Sequence, residues 1–364
     1  MMSVRTELSA FYAARPHRQA QDAQACVAIV IPALNEARHI IPVLRMLLPG
    51  AQRMGAAIIV ADGGSDDGTV DLVLSEARRV PGLFLLHNPR KLQSAAVNLA
   101  VANCPPEVDW LIRVDAHGAY PDNYCEVLLD EARQTGADSV VVTMLARGDG
   151  GMQNVIAAAQ NGFFGNGGSA HRGETKGRYV EHGHHALMRR AAFAKVGGYD
   201  ETFTHNEDAE LDARLGKAGC RIWLTGRTQM IYFPRDSLTG LARQYFNFGR
   251  GRLATAVRHP DSFRKRHLVL VSLAPAACLA VLSGLHVIFA VPLLLWLLIC
   301  CLAGLLMALR HRKPALAASG IAAGVMQMGW SVGFWNGLYQ HVKTRFAMSA
   351  ENKHNKHPMK KEGS

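Results

Sequence analysis

Charge is missing from Leu268 to Leu309, a stretch of 42 residues without one aspartate, glutamate, lysine or arginine. Two spans of about 20 residues, each crossing a hydrocarbon core of about 30 Å, fit into that length. Ser283-Gly284-Leu285-His286 offers the turn between them. A third uncharged run, Ala315 to Gln340, carries Gly320 and Gly324, then Gly329, Gly333 and Gly337, a small-xxx-small spacing that lets helix backbones approach closely in lipid. Met1 to Gln24 contains Arg5, Arg15 and Arg18 and lacks an apolar core, so a secretory signal is not expected there and the main domain is expected in the cytosol. The seven cysteines form no CxxC pair and no finger-like spacing with histidine, and read as free thiols in a reducing compartment.

The formal net charge of +11 is unevenly placed. Residues 1 to 240 hold 24 Lys and Arg against 26 Asp and Glu, so the whole positive excess lies beyond them. It flanks the apolar runs: Arg243, Arg250, Arg252, Arg258, Arg264, Lys265 and Arg266 before the first, Arg310, Arg312 and Lys313 between, Lys343 and Arg345 after. Such flanks mark cytoplasmic ends of spans and attract anionic membrane lipids, which excludes nucleic acid as the reason for the basic balance. A hairpin with both ends inside satisfies the rule. A full third crossing would put the basic tail outside, so the last run is either a span or a re-entrant or interfacial helix.

From Val27 to about residue 150, short β-rich runs alternate with helical patterns, which implies βαβ units and a mainly parallel, Rossmann-like sheet in an α/β domain. Asp62 and Asp115 directly follow the apolar runs Ala57 to Ala61 and Trp110 to Val114. Ligands of open parallel sheets bind outside the carboxyl ends of strands, so both acids are placed to face a ligand crevice. Asp208 lies further on, in Asn206-Glu207-Asp208-Ala209-Glu210. Gly162, Gly165, Gly167, Gly168 and Ser169 suggest a substrate loop or lid, or a flexible connection.

Ile31-Pro32-Ala33-Leu34-Asn35-Glu36, Ala61-Asp62-Gly63-Gly64-Ser65-Asp66-Asp67-Gly68-Thr69, Arg113-Val114-Asp115-Ala116-His117 and Asn206-Glu207-Asp208 resemble, in order and spacing, the family 2 inverting glycosyltransferases of the GT-A fold. The resemblance spans about residues 26 to 235. It implies nucleotide-sugar contacts by Pro32, Glu36, Asp62, Lys91 and Asp115. It implies a divalent cation, Mn²⁺ or Mg²⁺, at Asp115 and His117, and a general base at Asp208. His117 departs from the family's Asp-x-Asp and favours manganese over magnesium, because imidazole is the softer ligand. Gly63 replaces the family's second aspartate. A positioned base contributes roughly 10²- to 10⁴-fold to such a transfer. Glu207 and Asp208 also suit the first turn of a helix capped by Thr204 or Asn206, with Glu210 and Arg214 an i,i+4 pair.

Glu181-His182-Gly183-His184-His185 has no second cluster to complete a metal site and reads as acceptor contacts, His184 and His185 among them, or as a polar strand end. Ser237 to Arg252 reads as an amphipathic helix at the membrane surface. Its Gln244 and Arg250 resemble family residues that face diphosphate or acceptor, as Glu207 would. The expected organisation is a polar segment 1–25, a GT-A catalytic domain 26–235, a basic interface segment 236–267, transmembrane helices in 268–340 and a basic tail 341–364. The chain is most similar to the membrane-anchored succinoglycan-type exopolysaccharide glucosyltransferases. That resemblance implies a multi-pass inner-membrane enzyme that takes a sugar from UDP-glucose and adds it to a lipid-linked saccharide. A polyprenyl-phosphate sugar synthase and a non-catalytic scaffold are the alternatives.

Overall fold

The computed structural model describes residues 3–14, 25–167 and 176–355, with side chains to Met348. Gly168, Ser169 and the end of the basic tail lie outside the described residues, as does much of the polar segment 1–25. One sheet organises the catalytic part. Its strands are β1 (Cys26–Ala33), β2 (Ala57–Asp62), β3 (Leu83–His87), β4 (Val108–Arg113), β5 (Gly118–Ala119), β6 (Ser139–Ala146), β7 (Arg178–Tyr179), β8 (His184–Arg189) and β9 (Ile222–Tyr232). The order is β3-β2-β1-β4-β8-β6-β9-β5, with β7 also on β9.

β3, β2, β1 and β4 are parallel, as the alternating pattern requires. Beyond them the sheet becomes mixed: β8 runs antiparallel to both β4 and β6, and β6 is parallel to β9. Burial alternates within β1: Val27, Ile29 and Ile31 pack into one apolar cluster, while Ala28 and Val30 pack into the other. A strand covered on both faces needs an unbroken apolar run. Helices α2 (Ile40–Met54) and α5 (Tyr124–Thr135) cover the first face, and α4 (Gln93–Asn103) with α9 (Glu207–Lys217) the second. Between α2 and α5 come α3 (Thr69–Ala77) and α4; α1 (Val4–Ala13) precedes β1.

The described part of the glycine-rich stretch, Gly162 to Gly167, is built around a short helix. Gly162, Gly165 and Gly167 end α6 (Gly151–Asn161) and form the short α7 (Phe163–Asn166), where a Cβ on Gly165 would stand 1.9 Å from the Ala159 carbonyl oxygen. The glycines permit this tight reversal, and Phe164 is packed against the cluster of Ile156 and Met326.

Between β8 and α9 lies α8 (Arg190–Lys195), and after the sheet come α10 (Leu238–Arg258), α11 (Lys265–Val271), α12 (Leu273–Ala280), α13 (Val291–His311) and α14 (Ser319–Asn355). Three helical segments are long and apolar enough to cross a membrane: Lys265–Gly284, Val287–His311 and Pro314–Met348. The first two are 11% buried and the third 39%. The third run is one continuous helix, not a broken re-entrant one, and it packs along α10 and α6. Consequently α10 is no bare surface helix, since Leu241 and Leu253 are buried beneath α14.

Glycines make that seam. A Cβ on Gly249 would lie 2.0 Å from the Trp330 carbonyl oxygen, and one on Gly333 1.9 Å from that of Phe246. Gly304 of α13 and Gly320 of α14 meet in the same way, each 2.1 Å from the opposing carbonyl oxygen when given a Cβ. Pro275 of α12 brings no N–H, which leaves the Val271 carbonyl without its helical donor. α14 supplies the replacement: Trp335 Nε1 donates to Val271 O at 2.8 Å and Ser331 Oγ at 3.2 Å, while Ala274 N donates to Ser331 Oγ at 3.0 Å. In lipid no water could do this.

Candidate active site

The carboxyl ends of β1, β2 and β4 lie side by side, Ala33 in register with Asp62 and Val30 with Arg113. Asp62 is buried, and its carboxylate shapes the turn that follows: Oδ1 accepts from Gly64 N at 2.8 Å and Ser65 N at 2.9 Å, and Oδ2 from Ser65 Oγ at 2.5 Å. Ser65 Oγ in turn accepts from Asn35 N at 2.8 Å, tying the β2 loop to the β1 loop. Neither Ser65 nor Asp66 caps α3: its N-cap is Gly68, which has no side chain to cap it, and Asp67 just before accepts from Thr69 N at 3.0 Å. Lys91, itself at φ 59°, crosses this turn. A Cβ on Gly63 would stand 3.3 Å from Lys91 Cα and 3.4 Å from Leu34 Cδ1, so the space of the family's second aspartate is taken by neighbouring chain. Pro32 sits within β1, paired with Ala61.

Glu36 and His117 belong to one group. His117 Nδ1 lies 2.8 Å from Glu36 Oε1, and His39 Nδ1 2.8 Å from Glu36 Oε2. Burial pushes the Glu36 carboxyl up, yet the bonds to His117 and His39 hold it below the usual range; the same bond raises His117. Asp115 accepts from Gln93 Nε2 at 2.9 Å, and its backbone N donates to Tyr120 Oη at 2.9 Å. Burial raises its carboxyl, but Arg113, His184 and His117 together outweigh that and depress it.

Arg113 is the residue around which the carboxylates gather. It ends β4, almost wholly buried, with Nη1 2.5 Å from Asp208 Oδ1 and Nη2 3.5 Å from Asp115 Oδ1 and 3.7 Å from Glu207 Oε1. Burial works against its charge, and these carboxylates with Tyr199 hold it protonated. Glu207 and Asp208 open α9, where Asn206 takes a left-handed backbone (φ 68°) and makes no side-chain cap. Neither Asn206 nor Thr204 is therefore the expected cap, although Glu210 and Arg214 do form their i,i+4 pair. Asp208 Oδ1 also accepts from Tyr199 Oη at 3.1 Å and lies 3.3 Å from His185 Nδ1, whereas the polar group nearest Oδ2 among the described residues is His184 Nδ1, at 3.7 Å. Burial raises the Asp208 carboxyl, but Arg113 and His185 pull it far below the usual range. Its neighbour moves the other way: burial and the Asp208 charge push Glu207 up to about 7.

The histidine cluster divides. His184 stands between the two aspartates, Nε2 3.5 Å from Asp115 Oδ2, and burial lowers its pKa. His185 corrects the acceptor-contact expectation: it has no exposed surface and binds inward, Nε2 2.7 Å from Asp212 Oδ1 and Nδ1 2.6 Å from Tyr199 Oη. His182 Nδ1 reaches Asp212 Oδ2 at 2.8 Å. Gln244 donates to Tyr232 Oη at 2.8 Å, and its Oε1 is buried without a partner among the described residues. Arg250 is set apart from Gln244, lining a cavity of about 450 Å³ with Thr202, His205, Asn247, Gln340 and His341.

Motif reading gave no role to Arg113, Gln93, Tyr199 or Asp212. Two of them left a trace: an arginine interrupting an apolar strand, and an aspartate four residues after Asp208 and so on the same helix face.

The family described as Glycosyl transferase family 2 matches residues 28–197. The succinoglycan biosynthesis protein ExoA of Rhizobium meliloti (strain 1021) is 49% identical over 310 residues, 85% of this chain and 94% of that protein. The chain belongs to glycosyltransferase family 2. It is thus a glycosyltransferase with a GT-A-type sheet. An N-acetylglucosaminyl-diphospho-decaprenol L-rhamnosyltransferase of Mycobacterium tuberculosis (strain CDC 1551 / Oshkosh) is 28% identical over 207 residues, 49% of this chain and 64% of that enzyme. Among solved structures, the mannosyltransferase PcManGT from Pyrobaculum calidifontis superposes with a TM-score of 0.55 at 19% identity, covering 90% of this chain and 99% of that one, and shares the fold. Glu207 and Asp208 lie beyond the residues that the family description matches.

Proposed function

We propose that this family 2 enzyme is anchored in the cytoplasmic membrane and transfers glucose from UDP-glucose to a polyprenyl-diphosphate-linked saccharide, with inversion. The observation that carries the reading is the gathering of Asp115, Glu207 and Asp208 around Arg113, one carboxylate from the strand ends and two from the start of α9. Similarity to the succinoglycan protein and to the diphospho-decaprenol rhamnosyltransferase supports the lipid-linked acceptor.

In this reading the β1 and β2 loops, braced by Asp62, receive the nucleotide beside Pro32, Glu36 and Lys91. Asp208 takes the proton of the acceptor hydroxyl as its oxygen bonds to the anomeric carbon and the diphosphate departs with the electron pair of the broken bond. A single displacement converts an α-linked donor into a β-linked product. Gln244, whose Oε1 lacks a partner, and Arg250 support an acceptor or diphosphate contact from α10.

The donor set suits a divalent cation. Among the described residues no three His, Cys, Asp or Glu side chains are grouped to hold a metal, so Asp115 and His117 would hold it and the donor's diphosphate would complete the site. Glu36, bonded to His117 Nδ1, leaves Nε2 as the ligating atom, the usual support of a metal-binding imidazole by a carboxylate. The cation would neutralise the leaving diphosphate. The Pyrobaculum calidifontis mannosyltransferase was solved with GDP-mannose and Mn²⁺.

The apolar exposure of α12 and α13 supports a membrane hairpin. α14, half covered by α10 and α6, supports a helix lying along the catalytic part, which keeps the basic tail on the side of the other basic flanks. Membranes holding the full chain, given radiolabelled nucleotide sugars, test the reading. Labelled UDP-glucose should appear in lipid-linked saccharide. Label on bare polyprenyl phosphate would make it a polyprenyl-phosphate sugar synthase instead.

A further inference from the structure

Asp208 is held by one oxygen only. Arg113 Nη1, Tyr199 Oη and His185 Nδ1 all converge on Oδ1, at 2.5, 3.1 and 3.3 Å. Among the described residues Oδ2 has no polar partner nearer than His184 Nδ1 at 3.7 Å, beyond hydrogen-bond reach. Behind His185 stands Asp212, 1% exposed, whose Oδ1 lies 2.7 Å from His185 Nε2 and whose Oδ2 accepts from Gly183 N at 3.2 Å and faces His182 Nδ1 at 2.8 Å. A carboxylate on Nε2 settles which way the imidazole points: Nε2 toward Asp212, Nδ1 toward Tyr199 and Asp208. Tyr199 is fixed in turn by Arg113 Nη1, which donates to its Oη at 3.0 Å, and by its backbone N, which donates to Asn98 Oδ1 at 2.9 Å.

We propose that Asp212 and Tyr199 are positioning residues for transfer: through His185 they clamp Oδ1 of Asp208 and leave Oδ2 as the atom that takes the acceptor's proton. The inference rests on Asp208 being the base. The proton leaves the acceptor hydroxyl for Oδ2 while the hydroxyl oxygen bonds to the anomeric carbon, and the nucleoside diphosphate carries away the other electron pair. A carboxylate free to rotate would offer the acceptor either oxygen in many poses, and a misplacement near 1 Å can cost about 10²-fold in rate. Burying a second aspartate below the site is explained by this task. Asp212 is 1% exposed, so it bears on Asp208 through the groups it holds, His185 being the one that reaches Oδ1.

A mutant cycle in the full-length protein in membranes tests the inference. Asp212→Asn and, as a variant that removes only a hydroxyl, Tyr199→Phe should each lower kcat about 10-fold while the KM for nucleotide sugar stays within about twofold. In an Asp208→Asn background, where no proton is taken at Oδ2, neither should lower the residual rate further. Wild-type kcat in Tyr199→Phe, or the same fractional loss with and without Asp208, would overturn the clamp. Undiminished kcat in Asp208→Asn alone would overturn the base itself, a different failure that the same cycle reveals.

Discussion

At the scale of single residues, two adjacent carboxyls behave oppositely because one guanidinium is closer to one of them. Asp208 lies 2.5 Å from Arg113 and Glu207 3.7 Å, so Asp208 remains a carboxylate and Glu207, buried beside that charge, is raised to about 7. Asp208→Asn keeps shape and removes basicity; kcat should fall about 10²-fold or more, roughly 3 kcal/mol of barrier, in assays at saturating donor. Glu207→Gln should retain most of its rate, and a dead Glu207→Gln beside an active Asp208→Asn would exchange the two roles. Glu207 also predicts a pH effect on stability. Below its unfolded value of about 4.5 both states hold the proton; between there and about 7 only the folded state does, so stability falls as pH rises through that interval. Melting of Glu207→Gln from pH 5 to 7 should lack this decline, which in the wild type should amount to about 2 kcal/mol.

Elements were legible where a single local rule governed them. β1 to β4 and α2 to α5 follow from apolar runs alternating with helical patterns, and their acids landed at the strand ends. The second half of the sheet was not, because β8 enters between β4 and β6 from a distant part of the chain and no local pattern announces its antiparallel course. Arg113 was hidden for a similar reason: its partners Glu207 and Asp208 are about a hundred residues away, and only the fold brings them to β4. The glycines of α14 announced close helix packing but not its partner. That partner, α10, gives a prediction. Gly333→Val places bulk where a Cβ already would stand 1.9 Å from the Phe246 carbonyl oxygen. It should cost about 3 kcal/mol by thermal unfolding in detergent. Activity should fall as well, because Gly251 of α10 abuts the His205 carbonyl and Asn206 donates to Thr255 Oγ1 at 3.2 Å, just before Glu207 and Asp208. A stable, fully active Gly333→Val would contradict this seam.

For the whole molecule, the proposed diphosphate leaving group and the proposed membrane anchor each set a requirement. Arg113 is already shared among three carboxylates, so a donor bearing two phosphates needs its own counter-charge. Excess EDTA should stop transfer, and Mn²⁺ should restore it better than Mg²⁺ if His117 is a ligand; full turnover in chelator would remove the metal from the scheme. Val281, Leu285 and Leu306, 81%, 80% and 66% exposed, have no apolar cover among the described residues, as the proposed membrane hairpin requires. Alkaline carbonate washing should therefore leave the protein in the membrane pellet. The backbone contact between α10 and α14 has one more consequence. With Gly249 and Gly333 each at a carbonyl of the opposite helix, sliding of the two is opposed, and the start of α9, which bears Asp208, rests on α10. In the proposed reading, with Asp208 as base and α12 and α13 in the bilayer, this packing would carry the reactive carboxylate at a set height above the lipid. The enzyme would then act as a ruler: among lipid-linked mono-, di- and trisaccharides one length should turn over fastest.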